Sequence, residues 1–323
     1  MLEDKIADLL KCNIVTPITP VSGGFLHRMY RVDTDKGTFA VKHLNPNIMA
    51  RPGVKDNYRR AEELETILEE AGIPIVPALT VNGRKMQEAD EDFFYIFNWQ
   101  NGSITDWNNI TEEQCRIAGN IQGKIHAIEA THTKTKPELS HINWDSLIEA
   151  AENTTIETII TDNKELLIYA ENELNKARNA LPDIETIVNE DMDPKNVMWD
   201  NNEPVVIDLE CLDRGNPVSS AIQLSLQWSG ITTCDLDLTK TKAFFDGYRK
   251  AYDNGFRDYA SVFGLAYTWI EWLEYNIRRA LGDSIDKAEQ ETGIQQVEET
   301  VAGIRYIREK EEEIKQRLND WFR

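Results

Sequence analysis

The sequence predicts an α+β chain in two lobes, a small β-rich N-lobe over residues 1–97 and a large, mainly helical C-lobe over 98–323. Three observations carry that prediction. The first hundred residues are short runs of β-branched and aromatic residues separated by glycine and proline turns, with one helical stretch inserted. After Asn98 apolar residues recur at helical spacing almost to the end of the chain. Between the helices, two short strands carry Asp191, Asn196 and Asp208 at the spacing Asp-x(4)-Asn-x(11)-Asp. Strands first, helices second and a polar constellation at the seam is an α+β plan.

The elements follow in order. Ile18–Val32 reads as strand, glycine turn (Ser22-Gly23-Gly24) and strand. Asp35-Lys36-Gly37 is a hairpin turn into the strand Thr38–Leu44. From Asn57 to Ala71, apolar residues at 58, 61, 64, 67, 68 and 71 mark a helix that Gly72 closes. Pro74 and Pro77 open an extended stretch, and Asp92–Phe97 is a buried strand. Helical periodicity then covers Glu112–Ala130, Trp144–Glu152 and Asn163–Ala180, and helices resume near Ser219. The last stretch, Gln290–Phe322, has Glu, Lys and Ile at helical spacing and is expected to pack on the helical lobe.

Charge and cysteine usage narrow the function classes. With 56 acidic against 35 basic residues the net charge is −21, a field that repels nucleic acid and anionic lipid and attracts cations. No run of eighteen apolar residues is present, so no membrane span is expected. Cys12, Cys115, Cys211 and Cys234 lack metal-ligand spacing, and the start of the chain lacks signal-peptide features. A reduced, cytoplasmic setting is the simplest reading.

The segment Val188–Trp199 followed by Pro204–Glu210 carries the chemistry. On its own, Asp, Pro, Lys and Asn before an apolar strand also describe an ordinary surface turn. The spacing, however, is how protein-kinase-like folds present a catalytic base and two magnesium ligands around a nucleotide triphosphate. Asp191 is then the base, and Asn196 and Asp208 are the metal ligands. Phosphates also need a cation, and Lys42 ends the strand Phe39-Ala40-Val41-Lys42. Such a lysine needs a carboxylate partner, for which Glu62, Glu63 and Glu65 on the next helix are candidates. Glycine turn, strand lysine, glutamate helix, apolar strand, helices, Asp-x(4)-Asn and strand Asp occur in the order that a kinase-like fold requires.

On these residues the chain resembles the aminoglycoside phosphotransferase and choline kinase-like family. The anchors are Ser22-Gly23-Gly24, Val41-Lys42, Ala71-Gly72-Ile73-Pro74, Gly123-Lys124-Ile125-His126, Asp191–Val197 and Val206–Glu210, spanning about Val21 to Leu281. The resemblance implies Mg²⁺-dependent transfer of the γ-phosphoryl group of ATP or GTP to a small-molecule hydroxyl. It implies that Ser22, Gly23 and Gly24 close over the phosphates and that Glu62 partners Lys42. The purine would meet the backbone at Phe97, Asn98 and Trp99, and His126 is structural. The chain departs from the family pattern where Asn189-Glu190 replace a usual His-Gly before Asp191 and where Asp193 replaces a frequent histidine. Ser219-Ser220 follow Gly215-Asn216-Pro217 where an acid is usual.

Acceptor recognition is expected beyond Asp208. Glu271, Glu274 and Tyr275 share a helix face beside Trp272, and carboxylates next to aromatic rings suit ammonium groups. The plainer alternative is that Trp269, Trp272 and Leu273 are core and both glutamates are solvated. Glu210, two residues past the second metal ligand, is a further acceptor-facing candidate. The expected activity is therefore a small-molecule O-phosphotransferase with a cationic or polyhydroxyl acceptor. A nucleotide-binding module with little catalysis is the alternative. A protein kinase is less favoured, since no Ala-Pro-Glu segment follows Asp208.

Overall fold

The structure is a computed structural model that describes residues 2–21, 27–133, 137–283 and 287–322. By contact the chain forms two compact units. One comprises Met1–Asp106 with Asn189–Asp213, and the other Trp107–Val188 with Arg214–Arg323. The segment bearing Asp191, Asn196 and Asp208 thus groups with the first hundred residues, where the sequence boundary at 97/98 had placed it with the helices.

In the first unit, helix α1 (Leu2–Leu10) precedes strands β1 (Thr19–Val21), β2 (Arg28–Thr34) and β3 (Gly37–His43). Helices α2 (Pro46–Met49) and α3 (Val54–Glu70) follow, then β4 (Gln87–Ala89), β5 (Asp92–Asn98) and β6 (Ser103–Ile104). β1 to β5 form one antiparallel sheet in the order β1-β2-β3-β5-β4. The pleat sorts its side chains between two cores. Val41, Phe94 and Ile96 join Ile6 of α1 on one face, while Leu44 and Tyr95 join Tyr58 of α3 on the other. Lys42, next to Val41 and paired in register with Tyr95, therefore belongs to the α3 face. The α3 helix begins three residues before its expected start, and Gly72, just beyond its end, takes the left-handed φ of 72° that the closing glycine predicts.

The chain re-enters this unit at the end of β7 (Thr186–Asn189). A 3₁₀ turn at Pro194–Asn196 leads to β8 (Val197–Asp200) and β9 (Glu203–Val206), an antiparallel hairpin whose outer neighbour is β6. Asn201 and Asn202 close it with φ of 48° and 68°, the left-handed pair that a tight two-residue hairpin demands. Val206 exchanges backbone hydrogen bonds with Pro74 and Val76, which ties the segment after α3 to the hairpin.

The second unit is helical: α4 (Glu112–His126), α5 (Trp144–Ala150), α6 (Thr155–Asn179), then β10 (Leu212–Gly215) leading in, α7 (Pro217–Gln227), α8 (Leu238–Ala251), α9 (Trp269–Arg278) and α10 (Lys287–Phe322). Thr111 and Gln114 form a capping box on α4, and α6, capped by Thr154, starts eight residues before its expected start. The core draws on α5 to α10 and includes Leu167, Leu174, Phe245, Tyr259, Ile270, Ile304 and Phe322. Within it Glu311 of α10 is buried but fully served. It accepts from Tyr267 (2.7 Å) and Tyr169 (3.0 Å) and pairs with Arg308 (3.1 Å) and Lys315. The expected packing of the C-terminal stretch onto the helices is what the structure has. No helix among the described residues is long and apolar enough to cross a membrane.

Candidate active site

The β8–β9 hairpin explains the eleven-residue interval between Asn196 and Asp208. Four residues run out along β8, two turn, four return along β9 and Ile207 completes the step. Val197 faces Val206, so Ile207 donates its amide to the Asn196 carbonyl at 2.9 Å, and Asp208 follows directly. Asp208 holds a left-handed φ of 57°. For a non-glycine residue that conformation costs free energy and persists only where its surroundings enforce it.

Lys42 pairs with the Asp208 carboxylate. Its ammonium lies 2.8 Å from Asp208 Oδ1 and 2.7 Å from Glu210 Oε1, with only 5% of the residue exposed. Burial works against the charged ammonium, but Glu210 and then Asp208 more than offset it, and the lysine pKa stands above its ordinary value. Burial raises the Asp208 carboxyl. Burial also acts to raise Glu210, yet Lys42 and His27 hold it below the usual range.

Asp191 is held from two sides. Asn196 Nδ2 donates to its backbone carbonyl (2.8 Å) and to Oδ2 (2.9 Å), while Lys195 Nζ reaches Oδ1 at 2.9 Å. The same ammonium bonds Asp193 Oδ2 at 2.9 Å, and burial pushes the Asp193 carboxyl up to about 6. Asn189, where a histidine is usual, accepts the Asp191 amide on its side-chain oxygen (3.2 Å) and so still shapes the loop. Lys195 was not singled out from the sequence. Its place four residues after Asp191, across a 3₁₀ turn, was the available signal.

Three expected roles are met differently. Glu62 does not pair with Lys42. Its Oε1 accepts from the Tyr95 hydroxyl (2.8 Å) and the Met86 amide (3.0 Å), because the β4–β5 side of the sheet reaches it first. Glu210 does not stand free toward an acceptor but lies against Lys42, His27 and Tyr58. On α9, Glu271 is clamped by both terminal nitrogens of Arg178 (2.6 and 2.8 Å) and Glu274 pairs with Arg278 (2.8 Å). That face presents stacked rings, Trp272 on Tyr275 at 5.3 Å, more than free carboxylates. Leu273 is core as the alternative held, whereas Trp272 is 40% exposed. At the end of β5, the Trp99 amide bonds the Thr38 carbonyl (3.1 Å) and its ring lies under the Arg31 guanidinium. Phe97 is half-buried and Asn98 exposed. Ser22, Gly23 and Gly24 lie outside the described residues.

Among the described residues, no cluster of three or more His, Cys, Asp or Glu side chains is arranged to hold a metal unaided. The donors present, an amide oxygen on Asn196 and the second carboxylate oxygen of Asp208, fit Mg²⁺, which takes one or two protein oxygens and completes its shell with phosphates and water.

A model of the phosphotransferase enzyme family matches residues 17–262. The chain belongs to that family. Among solved structures, a spectinomycin phosphotransferase in complex with ADP and spectinomycin superposes with a TM-score of 0.67 at 14% identity, covering 93% of this chain and 97% of the other. An ethanolamine kinase from Plasmodium vivax gives 0.58 at 10% identity over 88% and 80%, and a microcompartment-associated aminopropanol kinase gives 0.57 at 13% identity over 95% and 97%. These likenesses establish the protein-kinase-like α+β fold. No curated protein matches the sequence.

Proposed function

We propose that this phosphotransferase moves the γ-phosphoryl group of ATP or GTP to the hydroxyl of a small amine-bearing alcohol. The observation that carries the reading is the meeting of Lys42 with Asp208, residues 166 positions apart, beside a loop that holds Asp191 and Asn196. Asp191 orients the acceptor hydroxyl and takes its proton; Lys42 holds the donor phosphates. Asn196 and Asp208 would hold Mg²⁺, which when bound neutralises charge on the phosphates. Lys195 keeps the Asp191 carboxylate in one orientation. An amine-bearing acceptor suits the net charge of −21 and the exposed ring pair on α9, and the kinases of similar fold are named for spectinomycin, ethanolamine and aminopropanol.

Nucleotide consumption with Mg²⁺, screened over aminoglycosides, amino alcohols, choline and sugars, tests the proposal. An acceptor-dependent rate is expected that falls by about 10²-fold or more in Asp191→Ala, the usual scale for losing a positioned base. Turnover untouched by that substitution would count against Asp191 as the base. The second reading, a nucleotide-binding module, is favoured by the Asn189-Glu190 replacement. It predicts nucleotide-dependent thermal stabilisation with no acceptor-dependent turnover.

A further inference from the structure

The α3 carboxylates that face the site are already committed. Glu62 serves Tyr95 and Met86, and Glu65 serves Lys85 (2.6 Å) and the Ala78 amide (2.9 Å). Glu63 is exposed. The lysine that a phosphoryl donor needs is held instead from the strand end that also bears Asp208. Glu210 reaches Lys42 with one oxygen and turns the other toward His27 Nε2 (3.4 Å) and the Tyr58 hydroxyl (3.5 Å). His27 is itself fixed. Its Nδ1 accepts the Asn45 amide at 3.0 Å, so in the neutral ring the proton sits on Nε2, aimed at Tyr58 (3.1 Å) and Glu210. His27, Tyr58 and Lys42 are each less than a tenth exposed and the Glu210 side chain is 19% exposed, which limits competing water at these contacts.

We propose that Glu210, held by His27 and Tyr58, is the residue that positions Lys42 for the phosphoryl donor, in place of a carboxylate on α3. The geometry makes it a relay of five groups. A backbone amide sets the histidine, the histidine and tyrosine set the carboxylate, and the carboxylate sets the lysine. His27 and Tyr58 act only through Glu210; the structure records no hydrogen bond from either to Lys42. The inference rests on the phosphotransferase reading, since it assigns Lys42 to the phosphates.

The test is a set of double-mutant cycles on the affinity of whichever non-hydrolysable ATP or GTP analogue binds the wild-type protein with Mg²⁺, read by calorimetry. Glu210→Gln is expected to weaken binding by about tenfold, the lower end for a hydrogen bond to a charged group, and Tyr58→Phe and His27→Gln by less, because they act only through Glu210. In a Lys42→Met background the Tyr58 and His27 substitutions should have no further effect. A penalty that persists at full size without Lys42 overturns the proposal, as does a Glu62→Gln variant that weakens binding more than Glu210→Gln. Acceptor KM serves as a control that a general loss of structure would move and this positioning role would not. Thermal unfolding of the nucleotide-free variants identifies any that fail to fold, and Tyr58→Phe, which deletes one oxygen, keeps the cycle readable. A wild-type protein that binds no nucleotide fails earlier and differently, by removing the phosphotransferase reading itself.

Discussion

His126 lies wholly inside the second unit, with Nδ1 on the Tyr248 hydroxyl (2.9 Å) and no hydrogen-bond partner for Nε2 among the described residues. A charged imidazolium there would be desolvated and unpaired, and burial lowers its pKa to about 3. The unfolded chain binds the proton near the ordinary value of 6.5, and the folded protein resists it down to about 3. Stability from this group is therefore complete above the unfolded pKa and is lost as pH falls between those values. Relative to His126→Asn, the wild-type unfolding free energy should drop by about 1.4 kcal/mol per pH unit between pH ~6 and ~4. Denaturant titrations at several pH values measure that slope, and parallel curves for the two proteins would show that His126 is not buried neutral. The family resemblance already implied that His126 is structural. Its hydrogen-bond partner Tyr248, by contrast, lies 122 positions away, which no local pattern encodes.

At the level of elements, α4 and α8 meet so closely that side chains are excluded from the crossing. A Cβ at Gly119 would strike the Phe244 carbonyl, one at Gly247 the Arg116 carbonyl, and one at Gly123 would sit 2.6 Å from the Tyr248 carbonyl. In an exposed helix, alanine in place of glycine would stabilise by about 1 kcal/mol. Here the obstacle is backbone, which cannot swing aside as a flexible side chain would. Gly119→Ala should instead destabilise by ~1–3 kcal/mol, with the α4–α8 pair forced apart. Thermal denaturation checks this, and an unchanged or raised Tm would mean that the helices separate freely. This crossing also marks where the sequence stops being legible. Apolar periodicity locates α4 and its anchor Gly123–His126, but the identity of the opposing helix is a long-range fact. The same holds for Lys42. The hairpin turn before β3 and the closing glycine of α3 place both elements, and the hairpin spacing brings Asp208 to Asn196. The choice among the acids is different, because Tyr95 on β5 and Met86 just before β4 capture Glu62 from 33 and 24 positions downstream. A period-3.6 stripe says which face a glutamate occupies and nothing about which donor reaches it first.

At the level of the whole molecule, charge acts on every ligand before any contact forms. The net charge of −21 gives a field that draws cations toward the surface and opposes anionic nucleotides. The two substrates of the proposed reaction thus feel opposite long-range forces: an amine-bearing acceptor is steered inward, and a nucleotide bound to Mg²⁺ still carries net negative charge. Screening weakens both effects, since the Debye length shrinks from about 10 Å at 0.1 M salt to about 3 Å at 1 M. Raising ionic strength with an inert monovalent salt should therefore raise KM for a cationic acceptor while leaving unchanged or lowering KM for the nucleotide. A neutral polyol acceptor should show no such rise. Steady-state kinetics at fixed pH across that salt range separates these outcomes. If both KM values climb together, the salt is acting on ion pairs inside the site, such as Lys42 with Asp208, and not on the surface field. If a neutral acceptor is turned over as efficiently as a cationic one at low salt, the surface acid serves solubility alone and the preference for an amine-bearing acceptor falls with it.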